Sequence, residues 1–361
     1  METPLDALAG AVDADCTRCG ACRARCGFLQ EAGTPGEVAH AIASGSGALP
    51  DVYHCSLCGL CGAVCPEGVR PEELFLAMRQ ARVRSGAFDA APYSPILAFE
   101  RLGDSALFSL LRLPAGGETV LFPGCGLCAS RPKTVRRLYT ALRRVIPDLG
   151  VALGCCLKPS RDLGRADFFA ERFGSLRDRL VDAGVRRVLT ACPNCHKVFM
   201  AHGGPLTVTT VYEVLAGAKA SPGKARSHGD GAAEVVVHDP CSLREGREAQ
   251  DAVRSLVRGC GLAVAELPDG RGRTVCCGEG GMVKFVRPGL ADRWASMRVG
   301  QAEGRTIVTS CAGCAGFLGG AATVEHVLDG LFDSRPRGLL RPPFTYAARL
   351  LLKAWFMRVV R

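Results

Sequence analysis

Short apolar runs that stop at a cysteine recur through residues 118–330. Val120-Leu121-Phe122 leads through Pro123-Gly124 to Cys125, and Val188-Leu189-Thr190-Ala191 leads to Cys192. Farther on, Val235-Val236-Val237-His238 leads through Asp239-Pro240 to Cys241, and Ile307-Val308-Thr309-Ser310 leads to Cys311. Runs this short and this β-branched predict buried strands, each delivering a cysteine at its carboxyl end. Between them, Thr134 to Val145 and Asp167 to Asp182 carry apolar residues at three-to-four spacing, which predicts helices. Strands alternating with helices predict a parallel α/β layout, with sites beyond the strand carboxyl ends. The first hundred residues show little strand pattern and read as mainly helical; Pro71 can start a helix over Glu72 to Val83.

The two α/β stretches repeat one another. Cys125, the adjacent pair Cys155-Cys156, and the C-x-x-C of Cys192 and Cys195 recur about 120 residues later as Cys241, Cys276-Cys277, and Cys311 with Cys314. The expected organisation is therefore a helical region at 1–91, a joining segment at 92–117 and a first repeat at 118–216. A linker of loop composition follows at 217–233, then a second repeat at 234–330 and a tail at 331–361. On a helical wheel the tail puts Arg349, Lys353, Arg358 and Arg361 on one side. Phe344, Ala348, Leu351, Leu352, Trp355, Phe356 and Val359 fill the other. A basic amphipathic helix of this kind fits a membrane surface or a partner subunit, and equally fits docking on the protein's own core. The apolar stretch from Ile96 to Leu113 is a candidate for the same surface.

Composition narrows the class. The chain has 361 residues, 48% of them hydrophobic, a length for two or three domains and too well supplied with apolar residues for disorder. Twenty cysteines in a chain this long do not describe a small disulfide scaffold. No run long and apolar enough to span a membrane occurs, and Met1-Glu2-Thr3-Pro4-Leu5-Asp6 lacks the basic and apolar regions of a secretory leader. The expectation is a cytoplasmic chain whose cysteines are metal ligands or redox groups. The formal net charge of +10 invites a nucleic-acid reading, but the arginines are scattered and aromatics make up only 6%, so none is expected. Thiolates bound to iron would also make the true balance less basic.

Two cysteine runs lie in the helical region: Cys16, Cys19, Cys22 and Cys26, then Cys55, Cys58, Cys61 and Cys65 followed by Pro66. This is the ferredoxin-type spacing for [4Fe–4S] cubanes, in which the fourth cysteine of each run ligates the other cluster. One cluster is therefore assigned Cys16, Cys19, Cys22 and Cys65, and the other Cys55, Cys58, Cys61 and Cys26. Gly27 stands where proline often follows Cys26, a position that shapes backbone and supplies no ligand. Zinc, which prefers two separated pairs, would leave thiols spare in each run. Each repeat offers five further thiols including an adjacent pair, more than one zinc or one cubane uses. Cys128 and Cys260 are left over and read best as small buried hydrophobes, although Cys128 is close enough to Cys125 to substitute for it. His196 and His238 adjoin ligand cysteines and are candidate proton donors or plain hydrogen-bonding histidines. Gly278-Glu279-Gly280-Gly281 lacks the lysine-serine ending of a phosphate loop.

A lone cysteine, an adjacent pair and a C-x-x-C, occurring twice after two ferredoxin runs, resembles the CCG or cysteine-rich domain family of iron–sulfur oxidoreductases. The order of parts is similar to the D subunit of heterodisulfide reductase, in which ferredoxin-like and catalytic segments are fused in one chain. The C subunit of anaerobic glycerol-3-phosphate dehydrogenase shares the pattern. The resemblance spans nearly residues 10 to 320. It implies an enzyme subunit in which each repeat holds a non-cubane [4Fe–4S] cluster through five cysteines. Those are Cys125, Cys155, Cys156, Cys192 and Cys195 in the first, and Cys241, Cys276, Cys277, Cys311 and Cys314 in the second. It further implies disulfide reduction or thiol oxidation between the paired clusters. Electrons would arrive through the cubanes from a flavoprotein, dehydrogenase or quinone-linked membrane partner. The alternative is a subunit that only relays electrons between a dehydrogenase and the quinone pool. Some relatives carry zinc in one repeat, which leaves zinc open for the second site. Three departures bear on substrate access: Leu157 replaces glycine after the first pair, Ser242 replaces a histidine frequent after Cys241, and Ala312 replaces proline.

Overall fold

The computed structural model describes residues 4–218, 233–334 and 343–360. The chain is mixed α/β, with a helical N-terminal region leading into two parallel sheets. Helices at Leu5–Asp15, Gly27–Ala32, Pro35–Ser44 and Pro71–Arg84 build the first region. Thr34 and Glu37 close a capping box at the start of the third of these helices. Pro71 opens the fourth with Glu72 and Glu73 in its first turn, where they complement the helix dipole. Leu29, Val38, Leu74 and Phe75 are buried between these helices, and the same core continues into Val283, Leu290 and Trp294 from late in the chain. The N-terminal region is thus packed on the last third of the protein.

The first sheet contains β1 (Leu110–Arg112), β2 (Thr119–Phe122), β3 (Gly150–Leu153), β4 (Arg187–Thr190) and β5 (Thr207–Thr210), in the order β1-β3-β2-β4-β5. All its pairings are parallel except that of β1, which runs antiparallel to β3 with Leu110 opposite Leu153. The second sheet contains β6 (Glu234–His238), β7 (Ala263–Ala265), β8 (Thr306–Thr309) and β9 (Val324–His326), all parallel, in the order β7-β6-β8-β9. With β1 set aside, the two orders correspond strand for strand. Phe122 stands opposite Thr190 in the first sheet, as His238 stands opposite Thr309 in the second. Leu121 and Leu189 share one core with Val235, Val237 and Val308, so the two units bury apolar surface against each other.

Two expectations need amending. The joining segment 92–117 is no simple tether: it carries the helix Ser94–Asp104 and the edge strand β1. The linker expected at 217–233 lies almost wholly outside the described residues, as do residues 335–342 of the tail. The tail helix, Phe344–Val359, does not divide into the basic and apolar sides of the wheel. Its buried stripe is Thr345, Arg349, Leu352 and Phe356, while Phe344 and Leu351 are exposed. Arg349 turns inward because Phe99 and Phe108 receive its guanidinium, 5.3 and 4.8 Å from their ring centres. Tyr139 meets Phe356 edge-on at 5.1 Å, and Leu352 lies in the core of the two sheets. The helix therefore packs its buried stripe on the protein itself, while Phe344, Leu351 and Met357 stay exposed. No helix among the described residues is long and apolar enough to cross a membrane.

Candidate iron–sulfur sites

Both ferredoxin-type runs use the same backbone. Arg18 and Leu57, each just before the second cysteine, have φ of 55° and 51°, and Gly20 and Gly59, just after it, have φ of 78° and 71°. These left-handed residues wind each run so that its thiols converge, and two of them are not glycine, which costs about 1–2 kcal/mol each. Cys16, Cys19, Cys22 and Cys65 line one cavity, which Cys61, Thr34 and Pro35 also line. Cys26 lies with Cys55, Cys58 and Cys61, close enough for each charge to act on the others. The structure thus brings the fourth cysteine of each run to the first three of the other. Burial pushes the Cys26 thiol up to about 12, and raises Cys55 and Cys61 as well. Thiols this reluctant to ionise alone favour neutralisation by a bound cation. The donor set fits two cubanes.

The cysteine-rich sites form at strand carboxyl ends. In the first, β2 ends three residues before Cys125, β3 two before Cys155, and β4 two before Cys192. Thiol contacts join Cys125 to Cys155, and Cys195 to both Cys156 and Cys192. In the second, contacts join Cys241 to Cys276, Cys276 to Cys277, and Cys314 to Cys277 and Cys311, with the sulfurs of Cys277 and Cys314 3.0 Å apart. Gly124 has to be glycine: a Cβ there would sit 2.8 Å from that of Cys192. Leu157 and Gly278, each following an adjacent pair, share positive φ, 58° and 96°. The leucine that departs from the family's glycine therefore keeps the family's backbone at some strain. The hydrogen bond from Cys155 holds Cys125 below an ordinary thiol, and the Arg349 charge adds to this. Bonds from Cys276 and Cys314 do the same for Cys277. Ten thiols gathered in two closed groups fit multi-iron centres.

The two sites face each other. Asn194, inside the first C-x-x-C, is hydrogen-bonded to Ser242, which follows Cys241. The Tyr212 hydroxyl lies 2.8 Å from the carbonyls of both Ala191 and Ser310, the residues before Cys192 and Cys311. Lys158, ion-paired with Asp162, acts on Cys241 and on Glu279, whose carboxyl burial raises. A route also joins the N-terminal region to the second site. The loop of Cys55 and Ser56 packs on Gly280 and Gly281; Cβ atoms there would approach Ser56 O to 2.9 Å and Cys55 O to 2.6 Å. Cys58 is near enough to Cys276 to raise its pKa, behind the larger effects of its Cys241 and Cys277 bonds and burial. Arg244 donates to Cys58 O at 3.1 Å and to Thr274 O at 2.8 Å, bracing the approach.

Arg79 and Arg298 are buried residues that pattern reading did not single out, because nothing in sequence separates them from the other basic residues; Arg349, read as part of the tail's basic side, is buried too. Arg298 is 0% exposed, and its charge acts on Cys277 and Cys314. Arg349 lines a small cavity with Cys125, Cys128, Gly124 and Gly154. Cys128 and Cys260 are both buried. His196 pairs through Nδ1 with Thr190 Oγ1 at 3.0 Å, and burial lowers its pKa. Burial pushes His238 down to about 3.

The folded arrangement defines an iron–sulfur protein: a double-cluster helical region docked on two cysteine-rich units. Residues 14–69 match the 4Fe-4S dicluster domain, and residues 119–200 and 235–319 each match the cysteine-rich domain. The chain belongs to the cysteine-rich-domain family of iron–sulfur oxidoreductase subunits, exemplified by the D subunit of heterodisulfide reductase. It is 25% identical over 292 residues to the D subunit of the dihydromethanophenazine:CoB–CoM heterodisulfide reductase of Methanosarcina mazei, covering 72% of this chain and 70% of that one. It is 26% identical over 261 residues to the B subunit of the fumarate reductase (CoM/CoB) of Methanothermobacter marburgensis, covering 67% of this chain and 50% of the relative. A third relative, the EtfAB:quinone oxidoreductase of Syntrophomonas wolfei, is 26% identical over 183 residues, 47% of this chain and 25% of its own length. The chain thus spans half or less of two of these three proteins.

Proposed function

We propose that this subunit carries electrons from a redox partner through two cubane sites to paired non-cubane sites, where a disulfide is reduced or thiols are oxidised. The carrying observation is that the two five-cysteine groups face each other across the Asn194–Ser242 bond while Cys58 of a cubane group adjoins Cys276. Bound iron–sulfur clusters supply single-electron storage and thiophilic iron. The chain's own contribution is placement. Of the ten cysteine-rich-site thiols only Cys125, Cys192 and Cys241 are partly exposed, so substrate sulfur approaches along that shared edge. Lys158 sets a positive charge at the same edge, suited to an anionic thiol, and the buried thiols behind it exclude water. Matching strand orders and two separate domain matches favour duplication of one unit over 118–216 and 234–330.

The partner in this reading is a flavoprotein, dehydrogenase or quinone-linked subunit. A pure relay is the second reading, favoured by the likeness to a protein named as a quinone oxidoreductase. Protein isolated without oxygen should hold about sixteen irons per chain with matching acid-labile sulfide and no zinc. It should also reduce an artificial dye with thiols, losing that activity in Cys276→Ala while cubane signals persist. Iron near eight after reconstitution would remove the paired sites. Full iron with no dye reduction across diverse thiols would leave the relay.

A further inference from the structure

His238 closes β6 with its imidazole 1% exposed, and among the described residues neither ring nitrogen has a hydrogen-bond partner. Burying an imidazole without partners is costly, so buried ring nitrogens are ordinarily bonded. The carboxylate next to it in the chain is already taken. Asp239 is held by Arg254 at 2.7 and 2.9 Å and by the backbone N–H of Arg271 at 2.7 Å. Arg298, which acts on His238, gives its Nη2 to Asp269 O and Thr274 Oγ1, while its Nε and Nη1 are buried without a partner and none of its nitrogens is bonded to the imidazole. What His238 does face is sulfur: one ring nitrogen and the thiols of Cys277 and Cys314 all lie within 4.8 Å of one another.

The first repeat supplies the control. Alternation along β6 puts His238 on the same face as Val236, the face whose core includes Cys277, Cys311 and Cys314. The matching residue in β2 is Phe122, which shares a core with Cys156 and Cys195, the counterparts of Cys277 and Cys314. Phe122 makes an edge contact with Phe199 at 5.0 Å and offers no donor atom. At one equivalent place, beside two equivalent thiols, one repeat has a phenyl ring and the other an unpartnered imidazole.

We infer that His238 is a metal ligand of the second cysteine-rich site, giving it a thiolate–imidazole donor set where the first site is all thiolate. Such a set suits zinc or iron. His238 adds a neutral donor where the first site has a phenyl ring; where it takes the place of one of the five thiolates on an iron, the centre is less negative and its potential higher, as replacement of cysteines by histidines does in two-iron centres. If iron fills both sites, the second is then the easier to reduce, which suits its position beside Cys58. The inference deepens the proposed function and rests on its assignment of Cys277 and Cys314 to a metal.

The test uses the full chain labelled with 15N-histidine and isolated without oxygen. Zinc is read by X-ray absorption and a reduced cluster by pulsed EPR. The expected result is one coordinated histidine nitrogen, at about 2.0–2.1 Å if the ion is zinc. The signal should vanish in His238→Phe, which installs the residue of the first repeat, and survive in His196→Gln. An all-sulfur shell in the wild-type chain, or a nitrogen signal that survives His238→Phe, overturns it. Iron content and dye reduction fail independently of this readout: nitrogen ligation without thiol activity sinks the proposed function alone, and activity with all-sulfur coordination sinks this inference alone.

Discussion

Arg79 is the most consequential side chain outside the cysteines, and its replacement gives the sharpest stability test. It is fully buried on the helix Pro71–Arg84 and donates only to backbone carbonyls. Nη1 reaches Asp162 O at 2.7 Å and Gly281 O at 3.0 Å, Nη2 reaches Val52 O at 3.1 Å and Cys55 O, and Nε reaches Val52 O at 3.3 Å. Those four carbonyls come from the dicluster region and from both cysteine-rich units. Burial lowers its pKa, yet an arginine remains charged at neutral pH. Each lost carbonyl partner costs about 1–3 kcal/mol, and relief from burying a charge without a carboxylate partner returns several. The net for Arg79→Met is about 4 kcal/mol. Arg79→Lys keeps the charge but has three donors for four carbonyls, so about 2 kcal/mol is expected. Urea unfolding followed by circular dichroism, on samples matched for iron and without oxygen, measures both. A loss below about 1 kcal/mol in Arg79→Met, or a lysine variant no better than methionine, would refute the claim that these four carbonyls depend on one guanidinium.

Gly278→Ala should cost more than 3 kcal/mol or abolish folding, since its Cβ would meet Ala291 O at 2.4 Å and Phe317 at 2.5 Å at positive φ; thermal melts of the two proteins decide it. Removing the buried charge beside Cys125 in Arg349→Met should shift the first cysteine-rich site to lower potential and leave the second unmoved, read by an EPR redox titration. His326 is buried and neutral, donating through Nε2 to Ser310 O and accepting from Leu328 N–H at Nδ1. Burial holds its folded pKa well below the usual value, so below about pH 6.5 the unfolded chain binds a proton the folded chain does not. Stability should therefore fall with decreasing pH from that point at up to about 1.4 kcal/mol per unit, and His326→Gln should flatten that slope. An unchanged slope in the variant would show that other groups set it.

Strands that lead to a cysteine were legible because the same residues both bury a strand and terminate it: β2, β4, β6 and β8 all finish two or three residues before a ligand candidate. The edge strand β1 was not, since three residues inside an apolar stretch carry no period, and its partner β3 lies some forty residues away. Arg349 defeated the helical wheel for a related reason. A wheel assigns charge to solvent, and what brought this arginine inside is a pair of phenyl rings, Phe99 and Phe108, contributed by a segment about 240 residues earlier. Left-handed turns at Arg18, Leu57 and Leu157 are equally silent in sequence, because glycine is the only reliable sign of them.

The asymmetry between the two repeats carries the larger functional consequence. A duplicated site with identical surroundings would give two centres of equal potential and no preferred direction for an electron. Here the first site has Arg349 from the tail helix and Phe122 at the end of its central strand, while the second has Arg298 from its own unit and His238 at that place. The second site also holds the contact with the dicluster region, through Cys58, Ser56 and Arg244. In the proposed function, electrons arriving from the cubane sites would meet first the site that His238 would make the easier to reduce. From there the way to the first site crosses only the short bridge of Ser242 and Asn194 and the Tyr212 hydroxyl. Tyr212 matters to this argument because its one hydroxyl fixes the backbone just ahead of both C-x-x-C turns. That tie restrains relative motion of the two units, so in the proposed function the gap a disulfide would span is held by the scaffold.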